Sequence, residues 1–229
     1  MKLGSCMVDG EFLERPNRYL AMARVDGKEV AAHVPDPGRL PGLMIPGRRA
    51  RLLYNPGPAR KTDYTLVLIR HASIWVCVFP VFANRLVEQG LSGGNMACLT
   101  GYTSYRREVK KGNSRFDFQL EYPGATAFVE VKSVSLVEDG LGRFPDAPTE
   151  RGRKHVRELI ALRKQGYRSI IVFVSQRPDA RTVTSNDSID PKFGGLLRKA
   201  RDAGVELYGY NCKVTPSSVS LNEEIEVVL

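Results

Sequence analysis

The chain has 229 residues, of which 34 are Lys or Arg and 25 are Asp or Glu, so its formal net charge at pH 7 is +9. Hydrophobic residues make up 42% of the sequence, which is enough to fill one large domain or two small ones and excludes a disordered chain. No apolar run approaches the roughly 18 residues that a membrane span needs, and we expect a soluble, cytoplasmic protein. Four dispersed cysteines without a C-x-x-C pair argue against a disulfide scaffold and a zinc finger.

The first 82 residues are predicted to form an all-β domain. Residues 1–62 contain seven of the 14 prolines and seven of the 21 glycines, which separate short stretches rich in Val, Leu and Tyr. Five short strands in about 65 residues indicate a small barrel of the OB type, with Asp26-Gly27 as a hairpin turn. The predicted strands are 19–25, 29–34, 48–53, 64–70 and 74–79.

Residues 83–229 are predicted to form an α/β domain. Three strands are followed by alternating helices and strands, which indicates a mixed sheet flanked by helices and an α+β fold class overall. We expect Asn84 to cap the first helix and Thr149 to cap the second. The predicted strands are 104–111, 114–122, 126–133, 169–175 and 205–210, and the two later helices are 149–165 and 191–203.

Three acidic residues are predicted to lie side by side on one face of this sheet. If Gly112-Asn113 and Pro123-Gly124 close two successive hairpins, Glu108 lies opposite Asp117, and Asp117 lies opposite Glu130. Directly opposed residues point to the same side of a sheet, so the three carboxylates would form a row across three strands. The alternate apolar residues would then face a core together: Phe116, Phe118, Leu120, Val129 and Val131.

A row of like charges needs a positive partner, because opposed carboxylates destabilise a sheet. One interpretation places Lys110, Arg115 and Lys132 diagonally beside the acids as cross-strand salt bridges. The other places Mg²⁺ or Mn²⁺ between the acids, since these cations take oxygen ligands and combine one or two carboxylates with substrate phosphates. The residues alone leave both interpretations open.

Basic residues are concentrated in two segments of the second domain. Residues 106–115 carry five Lys or Arg side chains and residues 151–164 carry six, each with a single Glu. Such clusters fit a polyanion, and the alternative is a solvated charged face. The candidate DNA contacts are Arg107, Arg115, Arg151 and Lys154, together with Arg39 and Lys61 from loops of the first domain.

Several motifs resemble those of a known family. Residues 114–118, which read SRFDF, are followed by Glu130-Val131-Lys132, and together they have the Asp…Glu-x-Lys order of the PD-(D/E)xK nuclease superfamily. Other stretches are similar to the sugar fermentation stimulation protein A family. These stretches are RPNRY (15–19), HVPDPGRL (33–40), RKT (60–62), NRL (84–86), REV (107–109), FPDA (144–147) and TERG (149–152) with His155.

The resemblance implies an OB-like domain over residues 1–82, a nuclease-like domain over residues 83–229, and DNA binding without marked sequence preference. In the superfamily, the Asp and Glu bind a divalent metal and the Lys activates or orients water. These roles carry over to Asp117, Glu130 and Lys132. A further acid often lies on a preceding helix, where Glu88 competes with Glu108.

Two functions therefore remain open. The first is a Mg²⁺- or Mn²⁺-dependent deoxyribonuclease with Asp117, Glu130 and Lys132 as catalytic residues. The second is a non-catalytic DNA-binding regulator, since members of the family have been associated with maltose and other sugar genes. The absence of Walker A, G-x-G-x-x-G and G-x-S-x-G motifs disfavours an enzyme acting on a small phosphorylated sugar. The sequence leaves strand preference, oligomeric state and any catalytic role of His155 undecided.

Overall fold

The N-terminal part of the chain folds into a closed barrel. A computed structural model describes all 229 residues. The first six strands are β1 (Met7–Asn17), β2 (Leu20–Val25), β3 (Lys28–His33), β4 (Arg49–Tyr54), β5 (Tyr64–His71) and β6 (Ile74–Cys77). They form one sheet in the order β3-β2-β1-β4-β5-β6, and a parallel pairing of β3 with β5 closes five of them into the barrel. The OB-like fold of this part is confirmed.

This sheet contains one strand more than the sequence predicts, because β1 is not among the predicted strands, and the predicted strand β6 lies outside the five-stranded barrel. β1 pairs with both β2 and β4. It was not predicted because Gly10, Pro16 and its charged residues give the segment a low strand propensity. A Cβ atom at Gly10 would lie 2.7 Å from Leu52 Cδ1, so close approach of neighbouring strands requires the glycine. The predicted turn at Asp26-Gly27 is confirmed, since both residues have positive φ and Val25 pairs with Lys28.

The C-terminal part is a nine-stranded mixed sheet. Its strands are β7 (Ser104–Lys111), β8 (Ser114–Tyr122), β9 (Ala125–Val134), β10 (Leu136–Glu138), β11 (Leu141–Phe144), β12 (Arg168–Ser175), β13 (Thr182–Ser185), β14 (Glu206–Thr215) and β15 (Ser218–Val227). Their spatial order is β10-β11-β13-β15-β14-β12-β9-β8-β7. The parallel pairing of β9 with β12 and of β12 with β14 gives the predicted α/β crossover. Strands β10, β11, β13 and β15 were not predicted.

Three α-helices flank this sheet: α1 (Val81–Ser92), α2 (Glu150–Lys164) and α3 (Pro191–Asp202). Thr149 caps α2 as predicted, because its side-chain oxygen accepts the backbone N–H of Gly152. The prediction that Asn84 caps α1 is wrong, because Pro80 is the N-cap and Asn84 lies inside the helix with its amide turned toward the sheet. None of the helices is both long enough and apolar enough to cross a membrane.

The barrel and the mixed sheet share a hydrophobic core. One cluster of 24 buried residues joins Leu68 and Trp75 of the barrel to Leu86 of α1 and Val129 of β9. The backbone N–H of Cys77, the last residue of β6, also donates to the carbonyl of Gln176 at 3.0 Å. A second cluster packs α2 and α3 against the other side of the mixed sheet. This continuous packing fixes the cleft between the barrel and the sheet.

Candidate metal and nucleic acid site

The two hairpins beside α2 have the predicted registers. Lys111 pairs with Ser114 in the first hairpin, and Tyr122 pairs with Ala125 in the second. The β8–β9 ladder ends at the pair of Phe118 with Val129. The next pair would be Asp117 with Glu130, so the two strands separate at the acidic residues.

The structure does not contain the predicted row of three carboxylates, because alternate side chains of β8 turn to different sides of the sheet at this point. Phe116 packs in the α2 core, whereas Phe118 packs in the α1 core, so these two residues do not share a face as predicted. On β7, Glu108 has φ +53° and makes no ladder pair with Asp117. A non-glycine residue in this left-handed conformation interrupts the regular strand backbone. The predicted alternation of side chains between the two faces assumes a regular backbone, so it fails here.

Asp117 reaches from β8 to both α1 and β9. Its Oδ1 accepts the amide of Asn84 at 2.5 Å, and its Oδ2 accepts the backbone N–H of Val131 at 2.7 Å. Burial raises the pKa of Asp117 to about 6, and repulsion from the nearby Glu130 carboxylate adds to the effect. The carboxylate is therefore held beside the segment that carries Glu130 and Lys132.

Glu130 is almost completely buried, with one oxygen satisfied and the other free. Lys132 Nζ and His155 Nδ1 both contact its Oε1 atom, while its Oε2 atom is buried without a hydrogen-bond partner. Burial opposes ionisation of this side chain, but Lys132 and His155 outweigh burial and hold the pKa of Glu130 below its ordinary value. The side chain is therefore an ionised carboxylate with one unused acceptor.

The residues present fit a hard divalent cation. A cation between Asp117 and Glu130 would offset the repulsion that raises the Asp117 pKa, and it would use the buried Glu130 Oε2 that has no other partner. The structure contains no group of three or more His, Cys, Asp or Glu side chains arranged to hold a metal ion. A metal at this pair would therefore complete its shell with water or substrate oxygens.

Neither candidate for a third acid joins this pair in the structure. Glu108 is half exposed, and its carboxylate lies 3.9 Å from the guanidinium of Arg115. Glu88 lies one helical turn after Asn84 on α1 and accepts a hydrogen bond from Arg107 at 2.8 Å. Arg107, a predicted DNA contact, is thus engaged in an ion pair.

A cleft of about 480 Å³ lies between the barrel and the mixed sheet beside this pair. Lys132 and Arg151 line it from the C-terminal part, and Asp36 and Gly38 line it from the barrel. The wall is held in place by Asp146, whose carboxylate fills the space that a Cβ atom on Gly38 would need, at 2.1 Å from Oδ2. The Pro35–Arg39 stretch that the sequence shows as an irregular loop therefore forms one side of the cleft.

The predicted DNA contacts also line three further cavities, one of which shares Arg151 with this cleft. Arg115, Arg151 and Lys154 line a basic pocket of about 370 Å³, to which His155 also contributes. Lys61 lines a cavity of about 610 Å³ on the barrel, beside the exposed ring of Tyr19. Arg39 lines a cavity of about 490 Å³ on another side of the interdomain loops.

Sequence reasoning missed two partners of the carboxylates. The sequence predicts Asn84 as a helix cap and leaves the role of His155 undecided. The available signal was helical spacing, since His155 lies one turn after Arg151 and its ring faces the sheet where Glu130 lies. For Asn84 no local signal exists, because its partner Asp117 is 33 residues away.

Comparison with known proteins gives a consistent assignment. The chain matches the family described as "SfsA N-terminal OB domain" over residues 13–78 and the family described as "Sugar fermentation stimulation protein RE domain" over residues 81–218. A sugar fermentation stimulation protein homolog from Moorella thermoacetica is 41% identical, with 100% of each chain covered. The homolog from Geobacter sulfurreducens is 43% identical, covering 97% of this chain and 96% of the relative.

Among solved structures, SfsA from Pyrococcus furiosus in complex with Ca²⁺ is similar over 100% of both chains, with a TM-score of 0.89 and 30% sequence identity. The chain thus shares both parts of its fold with this SfsA structure: the barrel, and the mixed sheet with its three helices. The chain belongs to the sugar fermentation stimulation protein (SfsA) family.

Proposed function

We propose that this chain is a DNA-binding protein that hydrolyses phosphodiester bonds with Mg²⁺ or Mn²⁺. The observation that carries the proposal is the buried, unpaired Oε2 of Glu130 next to Asp117 and Lys132, at the edge of a cleft lined by basic residues. A buried carboxylate oxygen without a partner costs free energy unless a cation or donor arrives. The relative with Ca²⁺ bound is consistent with a hard cation in this family.

Asp117 and Glu130 would hold the metal. A divalent ion there supplies Lewis acidity, lowering the pKa of water and offsetting charge that develops on the phosphoryl oxygens. Asn84 and the Val131 N–H orient the Asp117 carboxylate, and His155 and Lys132 occupy Glu130 Oε1 so that Oε2 stays free. The site is thus preorganised before the ligand binds.

Lys132 would act on the substrate side. An ammonium group has three donors, and one of them goes to Glu130, so two remain for a phosphate oxygen or for the attacking water. Lys132 lines the interdomain cleft, through which a bound strand would pass. Arg151, which lines the same cleft and is exposed, would bind the DNA backbone.

A second candidate function is DNA binding without cleavage, as in a regulator of sugar genes. The observation that favours it is the barrel cavity, which combines Lys61 with the exposed ring of Tyr19 away from the acidic pair. A positive groove with an aromatic platform binds single strands by charge and stacking. Both functions require DNA binding that weakens steeply with salt, so a salt titration does not separate them.

A cleavage assay separates them. Single-stranded, linear and supercoiled DNA are incubated with excess protein and Mg²⁺ or Mn²⁺, with and without chelator. We expect cleavage by the native protein that chelator abolishes. Glu130→Gln should lose more than the roughly 10- to 100-fold that removal of an outer partner of a metal ligand costs. Glu226→Gln, the same change at an exposed site on β15, serves as the control.

Two results would overturn the nuclease proposal. One is intact DNA of every form at high protein excess with either metal. The other is equal cleavage by native protein and Glu130→Gln, which would indicate a contaminating nuclease. Intact DNA together with tight binding of the same DNA would favour the regulator.

A further inference from the structure

The basic pocket beside α2 has features that neither the metal pair nor the interdomain cleft explains. It has a volume of about 370 Å³, and none of its lining residues is hydrophobic. Four of these residues are cations: Arg115, Arg151, Lys154 and Arg157. A pocket with such a lining is a poor site for an apolar ligand and a good one for an anion.

The positive charge in this pocket is only partly balanced by the protein, since Glu108, which lies outside the lining, approaches Arg115 at 3.9 Å. Glu150 is the only acid in the lining, and its carboxylate is already bound by Arg153 and, at 3.4 Å, by Arg157. Lys154 Nζ donates to the carbonyl of Asn113 at 2.6 Å, which leaves two of its three donors unused. Several donors therefore face the pocket without an acceptor.

Ser114 provides an independent indication of a missing ligand. Its side chain lines the pocket and is 5% exposed, yet its Oγ has no hydrogen-bond partner. Burying a hydroxyl without a partner costs about 1–3 kcal/mol, so such groups usually have a protein, water or ligand partner. Ser114 is also the first residue of β8, three residues before Asp117.

Two side chains connect the pocket to the acidic pair. His155 lines the pocket and contacts Glu130 through Nδ1. Arg151 lines both the pocket and the interdomain cleft that contains Lys132. A chain of phosphates passing along Arg151 would therefore have one group in the pocket and a neighbouring group beside the acids.

We propose that this pocket is a phosphate-anchoring site for a nucleic acid strand, with the Ser114 hydroxyl and the Lys154 ammonium as donors to the phosphate oxygens. The identity of the polymer rests on the proposed function, whereas the phosphate chemistry rests on the pocket alone. Phosphate suits this site because its several acceptor oxygens match clustered Arg and Lys donors, which a single carbonyl cannot do. The anchor would set which phosphodiester lies against Asp117 and Glu130.

The first test measures inorganic phosphate binding by calorimetry, in chelator and at fixed ionic strength. Ser114→Ala and Lys154→Gln should each weaken binding about tenfold, since a hydrogen bond to a charged group is lost. Lys164→Gln, the same change at an exposed position of the same helix, is the matched control and should bind as the native protein does. Ser114→Ala removes no hydrogen bond within the protein and relieves the cost of the unpaired hydroxyl, so its unfolding transition should lie at or above the native one.

The proposal is overturned if native protein binds no phosphate, or if Lys164→Gln weakens binding as much as Lys154→Gln does. Because this assay contains neither metal nor DNA, it does not depend on cleavage. Phosphate binding with these variant effects, in a protein that never cleaves DNA, would refute the nuclease and leave the phosphate site standing.

A second measurement identifies the source of the phosphate. Two otherwise identical oligonucleotides, one with a 5′-phosphate and one with a 5′-hydroxyl, are compared by fluorescence anisotropy. Tighter binding of the phosphorylated strand that Lys154→Gln abolishes assigns the pocket to a strand end. Equal binding of both strands, with both weakened about tenfold by Lys154→Gln, assigns the pocket to an internal phosphodiester. DNA binding that is unchanged in Lys154→Gln would contradict a role in anchoring the strand.

Discussion

Replacing Asp117 by Asn tests the electrostatics of the acidic pair most sharply. Burial and repulsion from Glu130 raise the pKa of Asp117 from 3.8 to about 6. Each pKa unit corresponds to about 1.4 kcal/mol, so the ionised carboxylate costs the folded, metal-free protein about 3 kcal/mol at neutral pH. The amide removes this cost but has one acceptor oxygen for the two donors, Asn84 and Val131, and losing one hydrogen bond costs about 1 kcal/mol.

We therefore expect Asp117→Asn to stabilise the protein in chelator by about 2 kcal/mol at pH 7.5. Between pH 6 and pH 4 the advantage should disappear, because the folded native protein then binds a proton at Asp117 before the unfolded chain does. Native protein should accordingly gain stability from this group as the pH falls through about 6. Urea unfolding in chelator at several pH values measures both effects.

With Mn²⁺ added, native protein should become more stable to unfolding than Asp117→Asn. A ligand that binds only the folded state stabilises it in proportion to the logarithm of its concentration, and Asp117→Asn should lose this gain. The reasoning is refuted if Asp117→Asn is less stable than native protein in chelator with an unchanged pH profile. It is also refuted if Mn²⁺ stabilises both proteins equally.

Three further changes test separate contacts. His155→Ala leaves the buried Glu130 with one partner fewer and should lower the free energy of unfolding by about 1–3 kcal/mol; a change below about 0.5 kcal/mol in urea would contradict the contact. Gly38→Ala places a methyl group against the Asp146 carboxylate, which can turn away by giving up its hydrogen bond from the Leu40 N–H, so the change should cost about 1 kcal/mol. Part of this cost should be absent when Asp146→Ala is made in the same chain, and additive effects of the two changes would refute the contact. Tyr19→Ala should weaken single-strand binding in chelator by about 1–3 kcal/mol, as measured by anisotropy, and unchanged affinity would remove the barrel cavity from the binding surface.

Regular elements with strong local signals could be predicted from sequence. The turns at Asp26-Gly27 and Gly112-Asn113 fix their hairpin registers through backbone conformations that few residue pairs adopt. The buried strand β12 is a continuous apolar run, and α2 begins at a side chain that caps it. In each case the determinant lies within a few residues along the chain.

Features that depend on distant partners could not be predicted. Strands β11 and β13 have four residues each and pair in parallel, although they are about 40 residues apart in the chain. The hydrophobic pattern of so short a strand does not indicate which distant strand it pairs with. The sequence also gives no sign of the positive φ of Glu108, since glutamate has no preference for this backbone conformation. This backbone conformation accompanies the loss of the predicted pair between Glu108 and Asp117.

The structure brings together only part of the predicted set of site residues, because Glu108 lies apart from Asp117, Glu130 and Lys132. Asp117, Glu130 and Lys132 come together because β8 and β9 separate at Phe118 and Val129, not because the strands continue in register. Their supporting contacts come from Asn84 on α1 and His155 on α2, on opposite sides of the sheet. Such contacts depend on how helices pack, which sequence spacing alone does not define.

Diffraction at the manganese edge from crystals grown with Mn²⁺ tests the central claim most directly. The account predicts one strong anomalous peak between the side chains of Asp117 and Glu130, within about 2.0–2.3 Å of an Oδ atom of the first and of Oε2 of the second. The peak should vanish in Glu130→Gln and persist in Glu226→Gln. A well-ordered native site without a peak, or with manganese bound only elsewhere on the chain, would contradict the claim that these two carboxylates share a metal ion.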